Sequence, residues 1–217
     1  CTTGVWLQLN MIEAGVEGVY VCHAAEEIGG IGSRGIVNSW VDFQNRDSNI
    51  NTYPWLDYID AVISFDRLGT TSVVTHQTGE RTCSDIFGYS LIDLLKGQWN
   101  LELDKYGVYT DSMEYAEIVS ECTNISVGYY QQHTSKETQD VFFALDLLEK
   151  LKEADWGRLE IEREPTPLNI WNEPEEPDMD AKEMMEIEAI ERLINDHPKR
   201  LAEMLFELNL DVEILIE

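Results

Sequence analysis

The sequence has little positive charge. Its 217 residues contain 15 lysines and arginines against 42 aspartates and glutamates, which gives a formal net charge of −27. Nucleic acids and anionic membrane surfaces bind through basic side chains, so this balance argues against both as partners. No apolar run approaches the roughly 18 residues that a membrane-spanning helix requires. The acidic surface is compatible with cation binding.

Cysteine is also scarce. The four cysteines, Cys1, Cys22, Cys83 and Cys122, lie far apart and form no CxxC pair. This spacing predicts neither a zinc knuckle nor a disulfide framework, and a reducing, cytoplasmic location fits it best.

Proline is sparse except near the C-terminal end. Four of the six prolines fall between residues 165 and 177, within an acidic stretch. That composition is typical of an extended linker, and the apolar spacing beyond it predicts two short helices. We therefore expect an α/β domain over residues 1–158, a linker over 159–179 and a helical hairpin over 180–217.

Two adjacent carboxylates follow the first predicted strand. Residues 18–22 are rich in β-branched and aromatic side chains and predict a strand; Glu26, Glu27 and a glycine-rich turn come next, with Ser33 as the predicted helix N-cap. The carboxyl ends of strands are where ligands collect in α/β sheets. A bound dication would explain the pair, with one carboxylate as ligand and the other as general base. Two solvated glutamates on a loop are the alternative.

Two further predicted strands end in the same way. Residues 60–66 end at Asp66, and His133 follows the strand predicted over 122–128. Carboxylates and imidazole are ligand types that zinc accepts. The three strand ends together predict a metal site, against the alternatives of an Asp66–Arg67 surface ion pair and of unrelated surface residues.

The order of these motifs resembles the co-catalytic zinc exopeptidases typified by bacterial leucyl aminopeptidase and glutamate carboxypeptidase. The matching motifs are Glu26-Glu27-Ile-Gly, Ile-Ser-Phe-Asp66-Arg, Thr-Asp111-Ser, and His133-Thr before a last helix. The resemblance spans residues 1 to about 156.

The resemblance implies a three-layer α/β/α domain with a mixed central sheet. It implies a two-zinc site that hydrolyses peptide bonds with metal-activated water. Glu26 would be the general base, Glu27 and His133 would ligate one zinc, and Asp66 would ligate the other. Asp111 is a candidate substrate-pocket residue.

Two motifs of this family have no match here. They are a His-x-Asp strand and a bridging aspartate, and both precede the position that matches Cys1. We therefore expect weak or absent zinc binding by this chain alone, and a missing N-terminal fragment as a partner. In that case Cys1 would be the processing residue that follows an intein in a split peptidase. The other interpretations of Cys1 are an N-terminal nucleophile and a truncated start.

A non-catalytic binding domain on a peptidase scaffold is the third functional class, and an oligomer is compatible with each. In all three classes, residues 2–14 are predicted to form a buried helix. Its N-terminus should point towards Glu26 and Asp66, and its core-facing side chains should include Val5, Leu9 and Ile12.

Overall fold

A mixed α/β fold is seen in the computed structural model, which describes residues 2–26, 29–45 and 49–165. The predicted hairpin over 180–217 and most of the predicted linker lie outside the described residues. No helix in the described ranges is long and apolar enough to cross a membrane.

Four α-helices accompany one larger sheet in the described part of the chain. The helices are α1 (Thr2–Glu13), α2 (Ile31–Gln44), α3 (Asp85–Leu94) and α4 (Val141–Glu153). The strands are β1 (Ala61–Arg67), β2 (Ser72–Val74), β3 (His76–Gln77), β4 (Glu80–Arg81), β5 (Glu102–Asp104), β6 (Glu121–Ser126), β7 (Tyr129–Tyr130) and β8 (Thr138–Gln139). Short 3-10 helices cover Pro54–Tyr58, Asp111–Tyr115 and Trp156–Arg158.

The larger sheet is mixed, with strand order β1-β6-β2-β5. β1 runs parallel to β6, β2 antiparallel to β6, and β5 parallel to β2. Every residue of β6 is buried, as expected for a strand inside a covered sheet. β2 belongs to this sheet, whereas β3, which follows it closely, pairs with β4 in a separate hairpin.

The core lies between this sheet and the apolar faces of α1, α3 and α4. Its buried side chains include Leu7, Met11, Val73, Phe87, Leu91, Ile125, Phe143, Leu147 and Leu151. Side-chain caps fix where two of the helices begin. The Ser84 hydroxyl accepts a hydrogen bond from the Phe87 amide at 3.0 Å, and the Asp140 carboxylate accepts one from the Phe143 amide at 2.9 Å.

Helix α1 forms as predicted, but three of the side chains predicted to face the core do not. Gly4, Leu7 and Met11 are buried, whereas Val5, Leu9 and Ile12 are 43%, 60% and 50% exposed. Two apolar stripes are available on this helix. The stripe that contains Gly4 is the one that packs, because the missing side chain lets the helix backbone approach β1.

The strand predicted over residues 18–22 is absent from the described structure, as is the predicted Ser33 cap. Residues 18–22 have no hydrogen-bonded neighbouring strand among the described residues, and Val19 is 50% exposed. Helix α2 begins earlier than predicted, after Gly30, whose φ of 61° is a left-handed conformation that glycine adopts readily. Ser33 is therefore inside α2, where it is fully buried.

The chain after α4 remains attached to the domain through residues 159–165. The carboxyl group of Glu121, which is fully buried, accepts hydrogen bonds from the Glu162 and Arg163 amides at 3.0 and 2.8 Å. Ser84 donates two more to the same carboxyl, from its amide at 2.7 Å and its hydroxyl at 2.8 Å. The Arg163 guanidinium in turn donates to four backbone carbonyls, those of Arg81, Ala116, Val119 and Ser120.

Candidate functional site

Asp66 lies near the carboxyl end of β1, at a local irregularity in its pairing with β6. The parallel register runs from Ala61 opposite Glu121 to Ser64 opposite Asn124, and then shifts before Arg67. At the shift, the Asn124 side chain accepts a hydrogen bond from the Asp66 amide at 2.9 Å. Irregularities of this kind re-aim a side chain and are common beside active sites.

Tyr129 contacts the backbone of Asp66, one of the predicted site residues. Its phenol donates to the Asp66 carbonyl at 3.0 Å. Burial raises the pKa of Tyr129, and so does the nearby negative charge of Asp66, against an opposing effect of Arg67. Glu137 and Glu26 raise the pKa by smaller amounts.

The first turn of α1 packs beside the same end of β1. A Cβ on Gly4 would overlap the Phe65 carbonyl, which immediately precedes Asp66. The Thr3 hydroxyl donates to the Gln139 side chain at 2.6 Å, and Gln139 belongs to the β7–β8 hairpin that carries His133. The N-terminal end of α1 thus lies next to both the Asp66 backbone and that hairpin.

Two predicted site residues lie at or next to strained backbone. His133 is exposed in the loop between β7 and β8, with φ of 59°, and Gln131 in the same loop has φ of 55°. Ala25, directly before Glu26, has φ of 61°. Non-glycine residues rarely adopt this conformation, which costs of order 1–3 kcal/mol and is concentrated at functional sites.

Asp111 is engaged by protein side chains on both of its oxygens. The Ser33 hydroxyl donates to Oδ1 at 2.6 Å, and His23 Nδ1 lies 3.1 Å from Oδ2. His23 Nε2 is 2.7 Å from the Tyr115 hydroxyl, so the ring is bonded on both nitrogens. Burial by itself raises the pKa of Asp111, but the hydrogen bonds from His23 and Ser33 outweigh it and leave that pKa below its usual range.

A second acidic group lies on the same 3-10 helix. Glu114 accepts hydrogen bonds from the Arg34 guanidinium at 3.0 Å and from the Tyr109 phenol at 2.8 Å. Burial and the Glu114 interaction raise the pKa of Tyr109. Together, Asp111 and Glu114 attach the start of α2 to the 3-10 helix Asp111–Tyr115.

The remaining predicted residues are not placed by the structure. Glu27 and Cys1 lie outside the described residues. Within the described ranges, no group of three histidine, cysteine, aspartate or glutamate side chains is arranged to hold a metal ion. Glu26, Asp66 and His133 carry donor types that zinc accepts, but within the described ranges these three side chains do not form such a group.

Neither Tyr129 nor His23 was predicted from the sequence to take part in a site. Tyr129 could have been noticed as an aromatic residue directly after a buried strand and before His133. His23 and Asp111 are 88 positions apart, so their pairing has no local signal.

No family model, curated protein or solved structure matches this chain.

Proposed function

We propose that this protein is a zinc-dependent exopeptidase-like hydrolase whose site lies at the carboxyl ends of β1 and β6. The observation that carries the proposal is the position of Asp66 at the register shift of β1, where its amide donates to the Asn124 side chain at 2.9 Å and its carbonyl accepts from the Tyr129 phenol at 3.0 Å. The strained backbone at Ala25 and His133 supports the same location. This function implies that the mixed α/β fold is arranged as a three-layer α/β/α domain.

Each predicted residue has a defined role in this proposal. Glu27 and His133 would hold one zinc ion and Asp66 the other. Zinc, when bound, supplies a Lewis acid that activates water and polarises a peptide carbonyl. Glu26 is half-buried. It would take the proton from the attacking water and return it to the leaving amine.

A specific observation favours a second candidate, in which another polypeptide completes the site. Among the described residues, no strand pairs with the outer edge of β1 or with residues 18–22. The α1 side chains Val5, Leu9 and Ile12 are also exposed. An added strand with an apolar face would satisfy both surfaces, as expected for the missing N-terminal fragment of a split peptidase.

Calorimetric titration of zinc into the full chain, with a parallel assay of peptide hydrolysis, tests the proposal. Asp66→Asn and His133→Gln should weaken zinc binding at least tenfold, because each removes one ligand. Glu26→Gln should bind zinc normally and lose hydrolysis by 10²–10⁴-fold, the usual contribution of a general base. Asp146→Asn is the matched control: it changes a half-buried carboxylate on α4 that accepts a hydrogen bond from the Gln98 amide at 3.2 Å.

Four results would separate the candidates. Zinc binding and hydrolysis by the chain alone would support the hydrolase and would contradict the expectation that this chain binds zinc weakly or not at all without an N-terminal fragment. The split enzyme is supported if zinc binding and hydrolysis appear only after an upstream polypeptide with a His-x-Asp strand is added. Zinc binding that is unaffected by Asp66→Asn and His133→Gln would refute the proposed site. If the chain never binds zinc, the hypothesis that remains is the non-catalytic binding domain.

A further inference from the structure

We propose that Asp111 is a positioning residue that holds both ends of the turn carrying Glu26, and not a residue of the substrate pocket. The inference rests on the proposed function for the meaning of Glu26. The Asp111 clamp is defined here as Asp111 with His23 and Ser33, and the Glu26 turn as the described residues 23–26 and 29–33.

The clamp has an unusual connectivity. One carboxylate oxygen bonds Ser33 at 2.6 Å and the other lies 3.1 Å from His23 Nδ1. His23 precedes Glu26 and Ser33 follows it, whereas Asp111 comes from a distant 3-10 helix. A single side chain therefore fixes the distance between the two ends of the turn.

The polar groups of the clamp leave little capacity for a ligand. An ionised carboxylate can only accept, so His23 Nδ1 carries the hydrogen and Nε2 is available to the Tyr115 hydroxyl at 2.7 Å. Ser33 is fully buried, and the His23 and Asp111 side chains are 11% and 16% exposed. A substrate-binding aspartate would present an oxygen without such partners, and Asp111 presents none.

The turn needs an external constraint because its own backbone is strained. Ala25 has φ of 61° beside Glu26, and strained residues persist when their surroundings determine them. Internal bonds such as that from the Gly32 amide to the Ala24 carbonyl, at 3.0 Å, close the turn. Gly30 admits a close neighbour as well, since a Cβ there would overlap the Tyr109 hydroxyl. The clamp adds the bond between the turn and the body of the domain.

Amide hydrogen exchange of the full chain, followed by NMR, tests the clamp without requiring activity. His23→Leu and Ser33→Ala each break one arm; Ser33→Ala also removes the contact of the same hydroxyl with the Gly30 carbonyl at 3.0 Å, so His23→Leu is the cleaner test of the clamp. Because each bond involves a charged acceptor, each variant should accelerate exchange of the Gly30 and Gly32 amides roughly tenfold to hundredfold relative to β6 amides. His23→Asn should keep most of the protection, since its amide offers a donor at the position of Nδ1.

Ser84→Ala is the matched control for Ser33→Ala. Ser84 is also buried and also donates its hydroxyl to a buried carboxyl, that of Glu121 at 2.8 Å. It additionally caps α3, so its loss destabilises the domain at least as much. If global instability opened the Glu26 turn, Ser84→Ala would accelerate the same amides; we expect it not to.

Coupling between the arms gives a second readout. When one arm is broken the ends of the turn can already separate, so breaking the other arm should add less. The double variant Ser33→Ala with His23→Leu should therefore exchange more slowly than the product of the two single effects. Full multiplicative behaviour, or unchanged exchange in both single variants, would overturn the inference.

The inference and the proposed function can fail separately. Suppose that the protein neither binds zinc nor hydrolyses peptides, but that amide exchange in the Glu26 turn is faster in the clamp variants. The clamp would then be supported and the hydrolase refuted. If the wild type hydrolyses peptides, Ser33→Ala should lower kcat with little change in KM, and Ser84→Ala should not. Unchanged kcat in Ser33→Ala would remove the positioning role while leaving the hydrolase intact.

Discussion

The hydrogen bonds between the Glu121 carboxyl and residues 159–165 predict where the chain can be shortened without loss of stability. Truncation after Arg158 removes two of the four donors to the buried Glu121 carboxyl, the Glu162 and Arg163 amides. It also removes the guanidinium that satisfies four backbone carbonyls. Truncation after Pro165 keeps all of these bonds.

The magnitude follows from the cost of leaving buried polar groups without partners. Each such group costs about 1–3 kcal/mol, and water entering the exposed surface offsets part of the total. We expect truncation after Arg158 to lower the free energy of unfolding by roughly 2–4 kcal/mol relative to truncation after Pro165. For a domain of this size, that difference corresponds to a decrease in Tm of roughly 4–16 °C.

Urea unfolding of the two truncated proteins measures the difference directly. In the full chain, Arg163→Met should lower the free energy of unfolding by about 1–3 kcal/mol, because it keeps the aliphatic stem and removes the donors. Arg158→Met is the matched control: its ion pair with Asp93 spans 3.5 Å between side chains that are 66% and 64% exposed, so it should change stability by less than about 0.5 kcal/mol. Equal stability of the two truncations, within about 0.5 kcal/mol, would refute the reasoning.

Three further predictions concern packing, pH and thiol reactivity. Gly4→Ala should destabilise the domain by about 1–3 kcal/mol, because its Cβ would overlap the Phe65 carbonyl. Gly35→Ala lies in a helix with open space around it and should stabilise the domain by up to about 1 kcal/mol. Chemical unfolding of the two variants measures the difference. The folded-state pKa of Asp111 is lowered, so its contribution to stability is present above pH about 4 and is lost as pH falls through the folded value. Asp111→Asn should therefore make the free energy of unfolding fall less steeply between pH 4 and pH 2, approximately, and an unchanged slope would count against the assigned interactions. Iodoacetamide should alkylate the exposed Cys22 much faster than the two buried cysteines under native conditions, as peptide mapping would show, and equal rates would contradict the burial.

Elements with strong local signals could be predicted from the sequence. The last helix, expected after His133, is α4 (Val141–Glu153). The buried strand β6 was also predicted, one position from its observed start. In each case, local propensity and tertiary packing favour the same structure.

Features that depend on distant partners could not be predicted. The choice between the two apolar stripes of α1 was decided by Gly4 against the backbone of β1, a contact across about sixty residues. Residues 18–22 have strand-forming side chains, but strand formation requires a neighbouring strand to accept their backbone bonds. The His23–Asp111 pair likewise exists only because the 3-10 helix Asp111–Tyr115 packs beside α2.

The parallel pairing of β1 with β6 also sets the order of events during folding. The register joins Ala61 to Glu121, about sixty residues along the chain, and long-range parallel pairing is slow because the loop must close before contacts form. The edge that carries Asp66 and Tyr129 is assembled in that late step. A cation that binds this edge would then recognise the native sheet and not its precursors. It would stabilise the protein mainly by slowing unfolding, with little effect on the rate of folding.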